Sequence, residues 1–374
     1  MDAQRKRKVA VVLSGGGARG AYQIGALKAL RQRGIVPDIY CGTSVGAFNA
    51  AMLASGKTLE EVEVLWRGLR RKDVFAELFA PRRFATLDFR VPFDTFRRSG
   101  RHLASFVADT ARYGGAWWRA VDMDNQLFDM TPMKNLIRDN IDLNALHASP
   151  TQISITLTRL KPAERGSIQV VGKESLTHDH ILASTALPLL FPPVAIGHEY
   201  YCDGGIVMNA PLRPAIHMGA GDIYVIDLTP PPCDYENGLL ARAYQVLSAG
   251  FAATLERDME VAADLNGQYL AAFLTDRLVN GTLEIARVRA KDGKLQPPQI
   301  HAYHYLQIYR LTPACDLGGV EQFLDFNPVV GGRMIDQAQK ETEATLSGYR
   351  DEEIVSPKGM RMKLACPERK VARR

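Results

Sequence analysis

Nowhere do the 374 residues string together eighteen apolar side chains without a charge, so the chain lacks a segment long enough to cross a bilayer as a helix. Any membrane contact is therefore expected to be peripheral. Cysteine is scarce as well: Cys41, Cys202, Cys233, Cys315 and Cys366 stand far apart without paired spacing, which argues against a zinc site and a disulfide framework. A reducing compartment fits that pattern. The apolar run behind the basic RKRK of residues 5–8 stops at Leu13, too short for the core of a secretory signal, and a cytoplasmic location is expected. Internal repeats, a low-complexity linker and any recognisable nucleic-acid module are missing too, so the mild net charge of +5 points to no nucleic-acid partner. What is present is an ordinary globular composition, 46% hydrophobic and 23% charged, in a chain long enough to bury a large core.

The informative stretch is residues 9–50. An apolar strand, VAVVL, runs into SGGGARG and a helix, and a second strand breaks at CGTSVGAFNAAMLAS. A sharp turn from strand to helix lifts Ser44 above the sheet, and both residues two positions away must be small; Gly42 and Gly46 meet that need. With the second helix starting at Val45, its unpaired N–H groups and positive dipole end face any negative charge that develops on the serine oxygen. The first break supplies the complement. Gly15, Gly16 and Gly17 can turn a run of N–H groups inward at the start of a helix expected from about Ala18 to Leu30, where they would hold an anion or an oxyanion.

Along the chain, residues 1–8 read as a solvated basic leader and 8–13 as a strand buried on both faces. TLEEVEVLWRGL reads as a helix with Thr58 as N-cap, completing a βαβα pattern and hence a parallel sheet. From Arg70 to Met130 aromatic clusters alternate with arginine, and between Arg67 and Arg119 twelve Lys or Arg face five Asp or Glu. This insertion reads either as packing beneath a solvated basic face or as a cap that touches anionic lipid headgroups through Phe89, Phe93, Trp117 and Trp118. DMTPMKNLIRDNI predicts a helix with Thr131 as N-cap, and TQISITLTRL and GSIQVVG predict strands. THDHILASTALPLLFPPVAI predicts a helix ending before Pro188, HEYYCDGGIVMNAP a strand broken by glycine, and GDIYVIDLTPPP a further strand. Residues 238–275 keep a 3.6-residue apolar period, HAYHYLQIYRLTPA reads as the last strand, and a final helix is expected near Gly332 to Tyr349. The expected organisation is a leader at 1–8, a catalytic unit at 9–220, an extension at 221–350 that completes the sheet, and a basic tail at 351–374.

Three other readings compete for these residues. Gly15, Gly17 and Gly20 satisfy a G-x-G-x-x-G dinucleotide fingerprint, but the acidic residue expected at the end of the second strand is missing. A Ser-His-Asp triad would need His217, His301 or His304, and its serine normally follows more than two strands. His178, Asp179 and His180 suggest a metal, although a HDH that opens a helix is more often capping plus surface charge.

GGGARG, GTSVG, ASTALPLLFPPV and the DGG of YYCDGGIVMNAP together resemble the four signature stretches of the patatin-like phospholipases, over roughly residues 9–215. The resemblance implies a three-layer α/β/α fold with a mostly parallel central sheet. It also implies a Ser–Asp dyad that hydrolyses acyl esters of phospholipids or related lipids without metal or cofactor. Carried over, the nucleophile falls on Ser44 and its partner on Asp203. The oxyanion stretch falls on Gly15, Gly16 and Gly17, with Arg19 in the family's basic position and Val45 where many members have Ala. Gly20, Gly42, Gly46, Gly204 and Gly205 occupy the motif glycines, and the last two are expected to let the backbone bend so that Asp203 aims at Ser44. An aspartate with an ordinary pKa near ~4 is a poor base for an alcohol, so such a dyad needs strong oxyanion stabilisation. A lipid-binding or scaffold protein that keeps this fold without chemistry is the competing class.

Overall fold

The computed structural model describes residues 7–77, 128–161, 167–188, 190–229, 239–278, 306–314, 317 and 320–348, with the residue pairs 288–289, 295–296, 354–355 and 361–362. Phe89, Phe93, Trp117 and Trp118, the anchors expected in the insertion at 70–130, lie outside them, as do His301, His304, the first six residues and most of the tail.

Strand β1 (Lys8–Leu13) leads through a single 3-10 turn, Gly17–Arg19, into helix α1 (Gly20–Gln32). Strand β2 (Ile39–Thr43) then breaks into helix α2 (Val45–Ala54), and α3 (Leu59–Gly68) follows. Thr58 caps α3 as its sequence predicts: its hydroxyl accepts from the Glu61 N–H, and the Glu61 carboxylate accepts in return from the Thr58 N–H. Helix α4 (Thr131–Asn140) starts differently, because Met130 is its N-cap and Thr131, the expected cap, is its first helical residue. The Thr131 hydroxyl and N–H instead both donate to the Asp129 carboxylate.

After α5 (Leu143–Ala148) come β3 (Gln152–Lys161), β4 (Ile168–Gly172) and α6 (His178–Ser184). Helix α6 therefore stops four residues before Pro188. Strands β5 (Val194–Ile196) and β6 (Glu199–Asp203) precede α7 (Gly205–Met208), α8 (Leu212–His217) and β7 (Ala220–Ile226). The long apolar period forms one helix, α9 (Leu239–Leu278); then come β8 (Gln307–Leu311), α10 (Val320–Leu324) and α11 (Pro328–Gly348).

Eight strands form one sheet in the order β8-β7-β1-β2-β3-β6-β5, with β4 also on β3. The four pairings from β8 to β3 are parallel, and those of β3 with β4, β3 with β6 and β5 with β6 are antiparallel. Alternate residues of β1 feed two cores. Val11 and Leu13 pack with α1, α2, α3 and α11, whereas Ala10 and Val12 pack with α8 and α9. Both faces of the central strands are thus covered by helices, which is the three-layer α/β/α arrangement and the reason β1 carries no polar alternation.

Arg7, expected in the solvated leader, is tied down by an ion pair to Asp222 at 2.9 Å. At the other end of the sheet, the fully buried Asp227 accepts from Arg310 Nη2 at 2.7 Å and Nε at 3.1 Å, and from the Thr229 N–H at 3.0 Å. The pair fastens β8 to β7. Asp227→Ala is expected to cost about 3–5 kcal/mol, because it strands a half-buried guanidinium rather than removing a surface contact. A lower urea midpoint at unchanged slope would register that loss.

Candidate active site

Ser44 is the sole non-glycine residue with positive φ among the described residues, at φ 55° and ψ −126°. Such a conformation costs on the order of 1–3 kcal/mol and persists only where its surroundings over-determine it. The two flanking glycines are part of that constraint, for reasons of space. A Cβ on Gly42 would overlap the carbonyl oxygen of Gly46, and one on Gly46 would overlap that of Leu13. Backbone oxygens cannot repack as side chains do, so Gly46→Ala is expected to destabilise the fold by at least ~3 kcal/mol in thermal unfolding.

Asp203 arrives from the opposite direction. Thr43, the last residue of β2, stands opposite Thr156 of β3, and Asp203, the last residue of β6, stands opposite Leu157. Neighbouring positions of one strand therefore hold the C-terminal ends of two others, and Ser44 meets Asp203 there although they lie 159 positions apart in the chain. The carboxylate accepts a hydrogen bond from the Ser44 side chain and another, at 2.7 Å, from the Gly205 N–H. Gly204 has ordinary helical dihedrals, φ −68° and ψ −20°, so the glycines do not bend the chain as expected. Their role is close approach: a Cβ on Gly204 would overlap the Thr156 carbonyl oxygen.

Only 2% of Asp203 is exposed. Burial pushes its carboxyl up to about 6, against which the hydrogen bonds from Ser44 and Gly205 pull only partway down. It is a stronger base than the ordinary aspartate assumed from sequence.

The glycine turn is only partly available as an anion cradle. The Gly15 N–H, an expected donor, is taken by the carbonyl oxygen of Asn209 at 3.1 Å. Gly16 and Gly17 have no such backbone partner among the described residues. Gly17 needs its φ of +59°, and a Cβ there would overlap the Phe323 carbonyl oxygen. Arg19 closes the 3-10 turn at 1% exposure, which rules out a surface charge, but it does not line the cavity beside Ser44. That cavity, about 50 Å³, is apolar except at its floor, where Ser44, Thr185 and Asp203 sit. Its walls are aromatic. Trp66 stacks on Phe326 at 6.2 Å between centroids, and Phe75 meets Phe191 edge-on at 5.8 Å.

A profile of the family described as "Patatin-like phospholipase" matches residues 11–216, more than half of the chain. The chain belongs to the patatin-like phospholipase family. Among its relatives, the rat "Patatin-like phospholipase domain-containing protein 7" is 27% identical over 222 residues, 59% of this chain and 13% of that protein. "Lysophospholipase nte1" of Aspergillus terreus is 58% identical over 48 residues, 13% of this chain and 3% of that protein. The chain thus matches only a small part of the length of these relatives. Of solved structures, VipD from Legionella pneumophila aligns with a TM-score of 0.43 at 17% identity, covering 92% of this chain and 67% of that one.

Within this patatin-like site, several contributors carry no family motif of their own. Phe323, Leu324 and Phe326 close the cavity although they lie beyond the family match. A buried relay runs from the Trp66 indole N–H to Asn49 at 2.8 Å, from Asn49 to Gln23 at 2.9 Å, and from Gln23 to the Ser14 carbonyl oxygen at 2.8 Å. It ties the cavity wall to the glycine turn. Other candidates fall elsewhere. His217 is exposed at the end of α8 and does not line the cavity. His180 completes a capping box with Thr177, and His178 bonds the Ile141 carbonyl oxygen through Nε2. Burial pushes the Cys41 and Cys202 thiols up to about 12, so neither offers a thiolate near neutral pH. No described helix is long and apolar enough to cross a membrane.

Proposed function

We propose that this protein hydrolyses carboxylic ester bonds of lipids, in the manner of a phospholipase A or lysophospholipase, with Ser44 as nucleophile and Asp203 as general base. The observation that carries this reading is the hydrogen bond between a strained serine and a buried carboxylate on the floor of an apolar cavity. As the Ser44 oxygen attacks the ester carbonyl, its proton passes to Asp203. The N–H groups of Gly16, Gly17 and Val45 receive the oxyanion, each worth on the order of 10²- to 10³-fold in rate. Collapse of the tetrahedral adduct expels the alcohol, which takes the proton back, and leaves an acyl group on Ser44. Asp203 then draws a proton from water as that water attacks the acyl carbonyl, and returns it to the departing Ser44 oxygen, which frees the fatty acid and regenerates both groups. The aromatic and aliphatic walls suit an acyl chain, and no charged side chain besides Asp203 lines the cavity among the described residues, so a polar headgroup belongs outside it.

The test is turnover of phospholipid, lysophospholipid, neutral glyceride and a p-nitrophenyl ester, followed by mass spectrometry with the Ser44→Ala protein as blank. Release of fatty acid from any lipid of the panel, together with fluorophosphonate labelling of Ser44, is the expected result. Absence of both would favour a scaffold that keeps the fold without the chemistry. His217→Ala should leave turnover within twofold.

A further inference from the structure

The geometry points to Ser184 as a positioning residue for the proposed Ser44 chemistry: its single hydroxyl locks the strained serine to the sheet at the point where two opposed strand ends meet. The inference rests on the hydrolase reading above but concerns a side chain that the reading does not use.

Ser184 is the last residue of α6, and it is wholly buried. Its Oγ accepts from the Ser44 N–H at 2.9 Å and donates to the Thr156 carbonyl oxygen at 2.8 Å. Both partners need it. Strand β2 ends at Thr43, so the next N–H, that of Ser44, has left the ladder in a residue only 6% exposed. Thr156 is the β3 residue opposite the end of β2, and its carbonyl oxygen faces the close approach of Gly204. A hydroxyl is the smallest group that can accept from one and donate to the other at once. It restores two backbone bonds that the converging strands would otherwise leave unmade in the interior, where an orphaned polar group bears its full desolvation penalty.

The consequence for Ser44 is directional. With its N–H committed to Ser184, the residue cannot relax from φ 55° without breaking that bond, so its own Oγ stays aimed at Asp203. The same short segment grips the other member of the pair, because the Ala186 carbonyl oxygen accepts from the Asp203 N–H at 2.9 Å. Thr185, between them, lines the cavity floor. Residues 184–186 therefore act as one clamp on both reacting groups. Commitment of the Ser44 N–H also assigns the oxyanion to other donors, the N–H groups of Gly16, Gly17 and Val45.

The experiment compares the full chain with Ser184→Ala, the nearly isosteric Ser184→Cys, and Ser184→Thr, which returns the hydroxyl. Intact sites are counted by fluorophosphonate titration, so that turnover of a p-nitrophenyl ester is read per labelled site, and hydrogen exchange is followed at the Ser44 amide. Ser184→Ala and Ser184→Cys are expected to lower kcat per site by roughly 10- to 100-fold with KM within twofold, and to speed exchange of the Ser44 amide by a similar factor. Ser184→Thr should recover most of both. Should Ser184→Ala fail to fold, Ser184→Cys alone decides. Turnover per site within twofold of the parent in Ser184→Cys, or an unchanged Ser44 exchange rate, would overturn the assignment. Failure of the hydrolase reading looks different: the parent itself would resist labelling and turnover, while the exchange experiment would still judge the Ser184 bond.

Discussion

Ser44→Ala is expected to lower ester turnover by at least ~10⁴-fold and to abolish fluorophosphonate labelling, with the fold intact. Removing the nucleophile of a serine hydrolase leaves only the contribution of binding and oxyanion donors, and losses near ~10⁶ are known for such sites. The backbone should tolerate the change, because the constraints on residue 44 come from Gly42, Gly46 and the N–H bond to Ser184, none of which involves the deleted hydroxyl. One further consequence distinguishes loss of chemistry from loss of structure. The Ser44 hydrogen bond is one of two that hold the Asp203 carboxyl down against burial, so its removal should raise that carboxyl further above about 6. Infrared titration of the buried carboxyl would report the rise. Wild-type turnover in Ser44→Ala would sink the proposed mechanism outright.

Asp203→Asn should lose turnover by roughly 10³-fold or more while making the protein more stable at alkaline pH, and the two effects share one cause. Burial pushes the folded carboxyl up to about 6, above the 3.8 of an unburied aspartate. The folded state therefore binds this proton more tightly than the unfolded chain does. The stabilisation it gives is fully present below pH ~4 and is lost as pH rises through about 6. Above that point, holding Asp203 ionised costs the fold on the order of 3 kcal/mol. Asparagine keeps the shape without the charge. Its Tm should exceed the parent's by several degrees at pH 8, and the advantage should shrink through the window from pH 6 to pH 4 and disappear below it. Parent turnover should rise about tenfold per unit below pH 6 and level off above, since only ionised Asp203 can take the Ser44 proton. If Asp203→Asn were less stable at pH 8, or the parent's rate showed no midpoint near 6, the buried base would be misassigned.

Much of the architecture was legible in the sequence because it is written locally. An unbroken apolar run specifies a strand covered on both faces, and Thr58 with Glu61 specifies a helix start. GTSVG specifies an elbow because two glycines at fixed spacing are the only residues that clear the backbone there. Thr131 shows the limit of such reasoning: it had a capping residue's chemistry, yet Asp129 two positions earlier captured its hydroxyl and moved the helix start. Arg19 shows another. Its motif position was plain, but whether a guanidinium is solvated or buried depends on what packs over it, and that is decided by the rest of the chain.

What the sequence by itself determined is the set of groups proposed to react: a serine on a glycine-flanked turn, a DGG aspartate and a glycine-rich turn, each defined by bonds within a few residues. What only the tertiary structure decided is how those groups are tuned and bounded. The rise of Asp203 to about 6, the diversion of the Gly15 N–H to Asn209, the clamp by Ser184 and the cavity wall from Phe323 to Phe326 all join residues far apart along the chain. Desolvation and hydrogen-bond closure depend on which surfaces meet, and no local pattern encodes a meeting between strand ends that run in opposite directions along β3.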